Sequence, residues 1–318
     1  MPEVRIDESV TPAAHRAGLT AALEARRVDN RFHYAGGAAA ARWRALAAEH
    51  SPSRDDADGL VAYEAAARAV VSALADGPVH VIGVGCGDGV KERRLLGALA
   101  GTGRREIAAT PMDVSVPLVT AAAEAMQAVP AVDATHAVAV DITTVRDLSP
   151  LLAPRLPGTR VVTLFGVLST LGDGALAPAI SLLDPGDILM ASANLLPPSP
   201  DARDVVMAQY DNRPTREWLG TVLTEIGVGG ADDIRFRWEQ SPTGDTVVGE
   251  VTPPAQVMAT VSGVTVGLPA GMPIRVLESH RHSADGLSRM LAAAGLDVRA
   301  TCVSPSAEEG VAVGVSRG

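Results

Sequence analysis

The chain has 318 residues, 47% of them hydrophobic and 20% charged, and a formal net charge of −10. This is ample apolar material for one large domain or two ordinary ones. The acidity argues against nucleic acid or an anionic membrane surface as partner, since phosphate recognition relies on clustered Lys and Arg.

The opening stretch MPEVRIDESVTPAAHRAG is polar and acidic, without the apolar segment of a secretory signal. No apolar run approaches the roughly 18 residues that a membrane span needs, so a cytoplasmic protein is expected. Ala/Leu/Arg patterns predict helices over 8–28 and 38–49, separated by the loop RFHYAGGAA, and an amphipathic helix over 58–75. The pattern then changes to short β-branched runs at 79–85, 106–112, 136–141, 159–165 and 187–193, most of them separated by helices at 91–100, 116–127 and 174–183. Such alternation predicts a parallel sheet covered on both faces. LLPPSPDA forms a proline-rich junction. Residues 201–227 read as helical apart from an NRP interruption at 212–214, and 233–277 read as antiparallel strands. A helix closed by Gly295 and two final strands return to the sheet. The expected organisation is an α/β core from 62–197 plus 286–318, and a second α+β unit from 1–61 plus 198–285. Cys86 and Cys302 have neither the number nor the spacing of a disulfide framework or a zinc site, and no metal is expected.

The densest chemical signal is VHVIGVGCGDGVKERR at 79–94. Gly83, Gly85, Gly87 and Gly89 follow an apolar strand, and Lys91 is the only lysine in the chain. Glycine permits positive φ and close approach of a ligand to the backbone, and the following helix directs free N–H groups at that ligand. The phosphate-loop pattern fails because Val90 precedes Lys91 and Glu92 follows it. The dinucleotide pattern fails because its third glycine falls on Asp88 or Val90. The remaining GxGxG resembles the first motif of class I S-adenosylmethionine-dependent methyltransferases, although a ligand-free turn has the same composition. Two acids extend the pattern. Asp113 and Asp141 end the second and third strands, where a carboxylate can accept from ribose hydroxyls and can meet an adenine amino group respectively, with Ile142 against the base. For Asp113 a second reading stands: it, or Ser115, caps the helix that follows.

In their order, GVGCGDGVKERRLLGAL, PMDVS, AVDI, LFGVLSTLGD and LLDPGDILMAS resemble the histidine N-α-methyltransferases of the ergothioneine pathway and their relatives. RFHYAGG, SPSRDD, MAQYDN and GMPIRVLESHRHS extend the resemblance over most of 30–318. It implies a class I methyltransferase fold, a Rossmann-like, mostly parallel seven-stranded sheet with a second α+β acceptor-binding domain. It further implies S-adenosylmethionine as cofactor, S-adenosylhomocysteine as product, and a role in secondary metabolism. By resemblance, Gly83, Gly85, Cys86, Gly87, Lys91, Asp113, Asp141 and Ile142 bind the cofactor. Lys91 is then expected to pair with the cofactor's carboxylate or with Asp113.

On the acceptor side the resemblance places Tyr34, Asp173, Tyr210 and Ser279 at substrate-binding positions. Asp173 stands where the family has asparagine, and Leu277 where it has the acid that pairs with the serine. These departures point away from free histidine and toward other small amino-acid-derived acceptors, amines or indoles. His33, Glu278, His280 and His282 are the candidate bases, since a group titrating near neutrality suits proton removal. HRH at 280–282 reads equally as a solvated strand end. Trp43, Trp218 and Phe32 are read as packing residues that can also wall the acceptor pocket. The rival readings are a nicotinamide oxidoreductase on a Rossmann fold and a non-catalytic scaffold.

Overall fold

A computed structural model describes residues 2–50, 57–104, 106–153, 155–241 and 244–317. The SPSRDD turn lies outside these residues. The chain begins with β1 (Val4–Ile6), α1 (Pro12–Glu24), α2 (Gly37–His50) and α3 (Ala57–Ala73). The alternating region follows as β2 (Val79–Val84), α4 (Val90–Gly101), β3 (Ile107–Asp113), α5 (Val116–Gln127), β4 (Val132–Thr135), β5 (Ala137–Ala139), β6 (Thr159–Leu164), α6 (Val167–Leu171), α7 (Leu176–Ile180) and β7 (Ile188–Asn194). Next come α8 (Ala202–Tyr210), α9 (Arg213–Glu225), β8 (Ile234–Ser241), β9 (Gly244–Val251), β10 (Val257–Val261), β11 (Val264–Leu268) and β12 (Ile274–Arg281). The chain closes with α10 (Ala284–Ala293), β13 (Leu296–Val303) and β14 (Glu309–Ser316).

The main sheet runs β1-β5-β3-β2-β6-β7-β14-β13, with β4 also on β3. The pairings from β1 to β7 are parallel, whereas β14 runs antiparallel to β7 and β13. A parallel sheet closed by one antiparallel hairpin in this order is the class I methyltransferase arrangement. Every residue of β2 is buried, as expected for a strand with helices on both faces. From β2 the chain moves to β3 and β5 on one side, then to β6 and β7 on the other. Strand order therefore reverses between β2 and β6, which opens a crevice at their carboxyl ends.

The second layer is a three-stranded antiparallel sheet, β12-β9-β8, with the hairpin β10-β11. Its core joins Leu19 and Leu23 of α1, Trp218, Leu219 and Leu223 of α9, and Ile274 and Val276 of β12. The NRP interruption falls where the helical stretch does break, between the end of α8 at Tyr210 and the start of α9 at Arg213. Asn212 caps α9 by accepting from Thr215 N at 2.9 Å, and Pro214 sits in the first turn, where its missing N–H is not needed.

Several local expectations change. The helix expected over 8–28 is a 3-10 turn at Glu8–Val10 followed by α1. The helix expected over 174–183 is only the short α7, preceded by a 3-10 turn at Gly172–Ala175; Gly172, at φ +61°, separates that turn from α6. Residues 4–6, placed in the second unit from sequence, add an edge strand to the main sheet beside β5.

Candidate functional site

The cavity at the crevice has a volume of about 360 Å³, within the lower range of small-molecule sites. Its donor-side wall is built from backbone. Gly85, Gly87 and Gly89 all have positive φ, between +56° and +74°. Gly85 N and Cys86 N both donate to Met112 O, at 2.8 and 3.1 Å, which hangs the loop on the end of β3. A Cβ on Gly85 would lie 2.5 Å from Val167 Cγ2, and one on Gly87 2.5 Å from the Trp43 ring. The glycines thus bring β2, α6 and α2 closer together than any side chain would allow. Gly83 does not reach the cavity. It lies inside β2, and a Cβ there would meet Cys86 and Glu92, so its role is packing beneath the loop. Cys86 lines the cavity, but burial and the neighbouring Asp113 push its thiol pKa up, which leaves it un-ionised.

Asp113 faces the cavity but does not cap the helix that follows, whose N-cap is Ser115 and carries no side-chain cap bond. Its Oδ2 accepts from Gly87 N and its Oδ1 from Ser115 N, each at 2.9 Å. It therefore fixes the glycine loop and the start of α5 while facing the cavity. Burial raises its pKa to about 6, against the lowering effect of these N–H donors. Asp141 accepts from Thr143 N at 2.9 Å and Thr143 Oγ1 at 2.6 Å, and forms an ion pair with Arg31. Ile142 lies beside it on the wall.

Lys91 does not pair with Asp113. Its Nζ donates to Tyr63 OH at 2.8 Å and lies 3.6 Å from Glu309 Oε1. Tyr63 in turn bonds Ser192 and Glu309. This network ties α4 to α3 and the start of β14, and Glu309 and Lys91 both face the cavity. Glu92 points the other way and is 1% exposed. Thr163 Oγ1 donates to its Oε1 at 3.1 Å, its Oε2 has no partner, and burial raises its pKa to about 7.

The acceptor-side wall is built from side chains on separate segments. Residues Asn30–Tyr34 form a 3-10 turn. Its three-residue period turns Arg31 and Tyr34 to the cavity, while Phe32 and His33 enter the core. Asn30 anchors this turn by donating to Thr170 O at 3.0 Å and Glu278 O at 2.7 Å. The Tyr34 ring packs against Trp43 and Trp218, with centroids 5.8 and 5.3 Å apart. Burial raises its hydroxyl pKa above the usual value, with the charges of Asp113 and Tyr210 adding. Tyr210 OH bonds Ser279 Oγ at 2.7 Å and accepts from Arg281 Nη2 at 2.8 Å. Ser279 is buried behind Tyr210 rather than on the wall. Asp173 falls in the Gly172–Ala175 turn, and its side chain lies outside the described part of the structure.

None of the four candidate bases lines the cavity. His33 is fully buried. Its Nε2 bonds Val276 O at 2.7 Å, and desolvation lowers its pKa to about 4, so it is a neutral core residue. Glu278 faces away and pairs with Arg27 and Arg275. His280 bonds Thr246 Oγ1 at 3.1 Å on the same opposite face of β12, and His282 borders a separate surface cleft beside α10. The parity of β12 explains these placements, since alternate residues face opposite sides. It also identifies a residue that the sequence reading missed, Arg281, which shares the Leu277 face and lines the cavity with Asn194. Phe32 is buried in the core of the second layer, whereas Trp43 and Trp218 do line the cavity. Five of the chain's nine aromatics (Tyr34, Trp43, Phe165, Tyr210 and Trp218) converge here.

No family model matches the chain, and no curated protein matches it. Among solved structures, it is similar to the CcbJ methyltransferase from Streptomyces caelestis, at 17% identity and a TM-score of 0.40, covering 81% of this chain and 90% of that one. It is similar to the mitomycin 7-O-methyltransferase MmcR at 12% identity and a TM-score of 0.40, covering 98% and 73%. It also matches the citrinin polyketide synthase CMeT domain at 13% identity and a TM-score of 0.47, covering 96% and 66%. The fold assignment rests on the strand order described above. Among the described residues, no helix is long and apolar enough to cross a membrane.

Proposed function

We propose that the chain transfers a methyl group from S-adenosylmethionine to a small amino-acid-derived nitrogenous acceptor, an amine rather than an indole. The observation that carries this reading is convergence. The positive-φ glycine loop, Asp113 and Asp141 come from the carboxyl ends of three adjacent strands and face one cavity. The cofactor would supply a methyl group on a positively charged sulfur. The wall suits that charge, since Tyr34, Trp43 and Phe165 line it and aromatic rings attract cations. A dinucleotide's pyrophosphate would instead face Asp88, Glu308 and Glu309, which disfavours the nicotinamide alternative.

In this reading Gly85, Cys86 and Gly87 admit the donor, Asp113 and Asp141 accept from its hydroxyl and amino groups, and Ile142 lies against its base. Lys91 and Glu309, already paired, address its charged amino-acid end. Tyr34 and Tyr210 orient the acceptor. In-line displacement then requires alignment and exclusion of water more than proton chemistry. The carboxylates of Asp88, Glu308 and Glu309 on the wall favour an acceptor that arrives as an ammonium, which must lose one proton to free its lone pair before attack. Titration of S-adenosylhomocysteine tests the donor half; binding in the micromolar range is expected, and none at millimolar concentration refutes it. A mass-spectrometric screen for +14 products across amines, amino acids and indoles tests the acceptor half, where products confined to indoles would overturn it.

A further inference from the structure

Among the described residues, Arg281 is a buried cation without a counter-ion. The residue is 6% exposed, lines the cavity, and forms no ion pair among the described residues. Its one hydrogen bond is from Nη2 to Tyr210 OH, its guanidinium lies 5.2 Å from the Tyr210 ring centroid, and its buried Nε has no acceptor. The acid opposite it in the β9–β12 register, Asp245, accepts instead from Trp238 Nε1 at 3.1 Å. The other two cavity cations are engaged, Arg31 by Asp141 and Lys91 by Glu309. A buried charge in a protein is normally paired, so this guanidinium is complementary to an anion brought by a guest.

We infer that Arg281 receives a carboxylate of the acceptor, with Tyr210 and Asn194 as flanking polar groups. One unneutralised guanidinium matches one negative charge, which suits a carboxylate better than a phosphate dianion, and its planar fork fits two carboxylate oxygens. The Tyr210 hydroxyl, held by Ser279 and lying 3.5 Å from Asn194 Nδ2, fixes the tilt of that fork. Leu277 and Arg281 share one face of β12, so a guest anchored at Arg281 has its apolar part over Leu277 and Trp218. Only the word acceptor rests on the methyl-transfer reading; the anion site stands on the unpaired guanidinium.

The test compares matched pairs that differ only in the carboxylate, namely histidine and histamine, tryptophan and tryptamine, and tyrosine and tyramine. Binding is measured by calorimetry with saturating S-adenosylhomocysteine and again without it. At least one carboxylate should bind tenfold or more tightly than its decarboxylated partner. Arg281→Gln should erase that preference while leaving S-adenosylhomocysteine affinity within threefold, and Arg281→Lys should retain part of it. Melting curves establish that each variant is folded, and the wild-type comparison needs no variant. Equal binding within every pair, no carboxylate binding at millimolar concentration, or a preference that survives Arg281→Gln overturns the proposal. A preference that depends on Arg281 in a protein that ignores S-adenosylhomocysteine would uphold the anion site and refute the methyl-donor reading.

Discussion

The two walls of the cavity solve the same problem with different materials. On the donor side, polar groups are satisfied within the protein before any ligand arrives. Asp113 is held by two backbone N–H groups, Asp141 by Thr143 and Arg31, and Lys91 by Tyr63 and Glu309. On the acceptor side, Arg281 keeps an unmatched charge in a buried position. A pre-satisfied wall has fixed geometry and tolerates little change in backbone. A wall with an unmatched charge gains more from its guest and discriminates by chemistry.

The largest expected effect breaks the donor wall at its backbone. Gly85→Ala imposes a side chain at φ +65° with its Cβ 2.5 Å from Val167, where the conformation alone costs roughly 1–2 kcal/mol. S-adenosylhomocysteine affinity should fall at least a hundredfold, and adding Val167→Ala should recover part of the loss. An affinity within threefold of wild type in the single variant would show that the wall is not rigid. Asp141→Ala should weaken the same ligand tenfold or more by calorimetry, and an unchanged constant would remove Asp141 from the adenine subsite.

A pH experiment sharpens the comparison from beneath the loop. The Glu92 carboxyl titrates near 7 in the folded chain, against an ordinary value of 4.5. Between these values the folded chain holds a proton that the unfolded chain has released, so stability falls as pH rises through that window. The loss is complete above about pH 7. Glu92→Gln removes this penalty. Relative to wild type, its unfolding free energy should rise from pH 4.5 to pH 8 by a total of about 3 kcal/mol. A difference that stays flat in denaturant titrations across that range would place the Glu92 pKa at its ordinary value. The smallest effect belongs to the outward face of β12. Glu278→Gln and His280→Ala should each leave S-adenosylhomocysteine affinity and methyl transfer within twofold, and a tenfold fall in turnover would return them to the chemistry.

The same contrast explains what the sequence made legible. The glycine loop, Asp113 and Asp141 each follow a strand directly, so strand order alone carries them to one crevice. The acceptor wall gathers Tyr34, Asn194, Tyr210 and Arg281 from four distant segments. There, orientation depends on local periods that a residue-type search overlooks. His33 stands beside Tyr34 yet enters the core, because a 3-10 turn repeats every three residues and groups Tyr34 with Arg31. Glu278 and His280 flank Ser279 on the wrong face of an alternating strand. Counting two and four positions on from Leu277 reaches Ser279 and Arg281, and that signal was present in the sequence. The partners of Lys91 were not, since Tyr63 and Glu309 lie on α3 and β14, far from it along the chain.

The ion pair between Arg31 and Asp141 has a thermodynamic consequence. Arg31 belongs to the same short turn as Tyr34, so under the proposed function a donor bound at Asp141 would also act on Tyr34. Linkage makes this influence mutual, since whatever repositions Tyr34 changes donor affinity by the same factor. In that reading, occupancy of either half of the cavity changes the affinity of the other by one common factor, which titrations of each ligand in the presence of the other would measure.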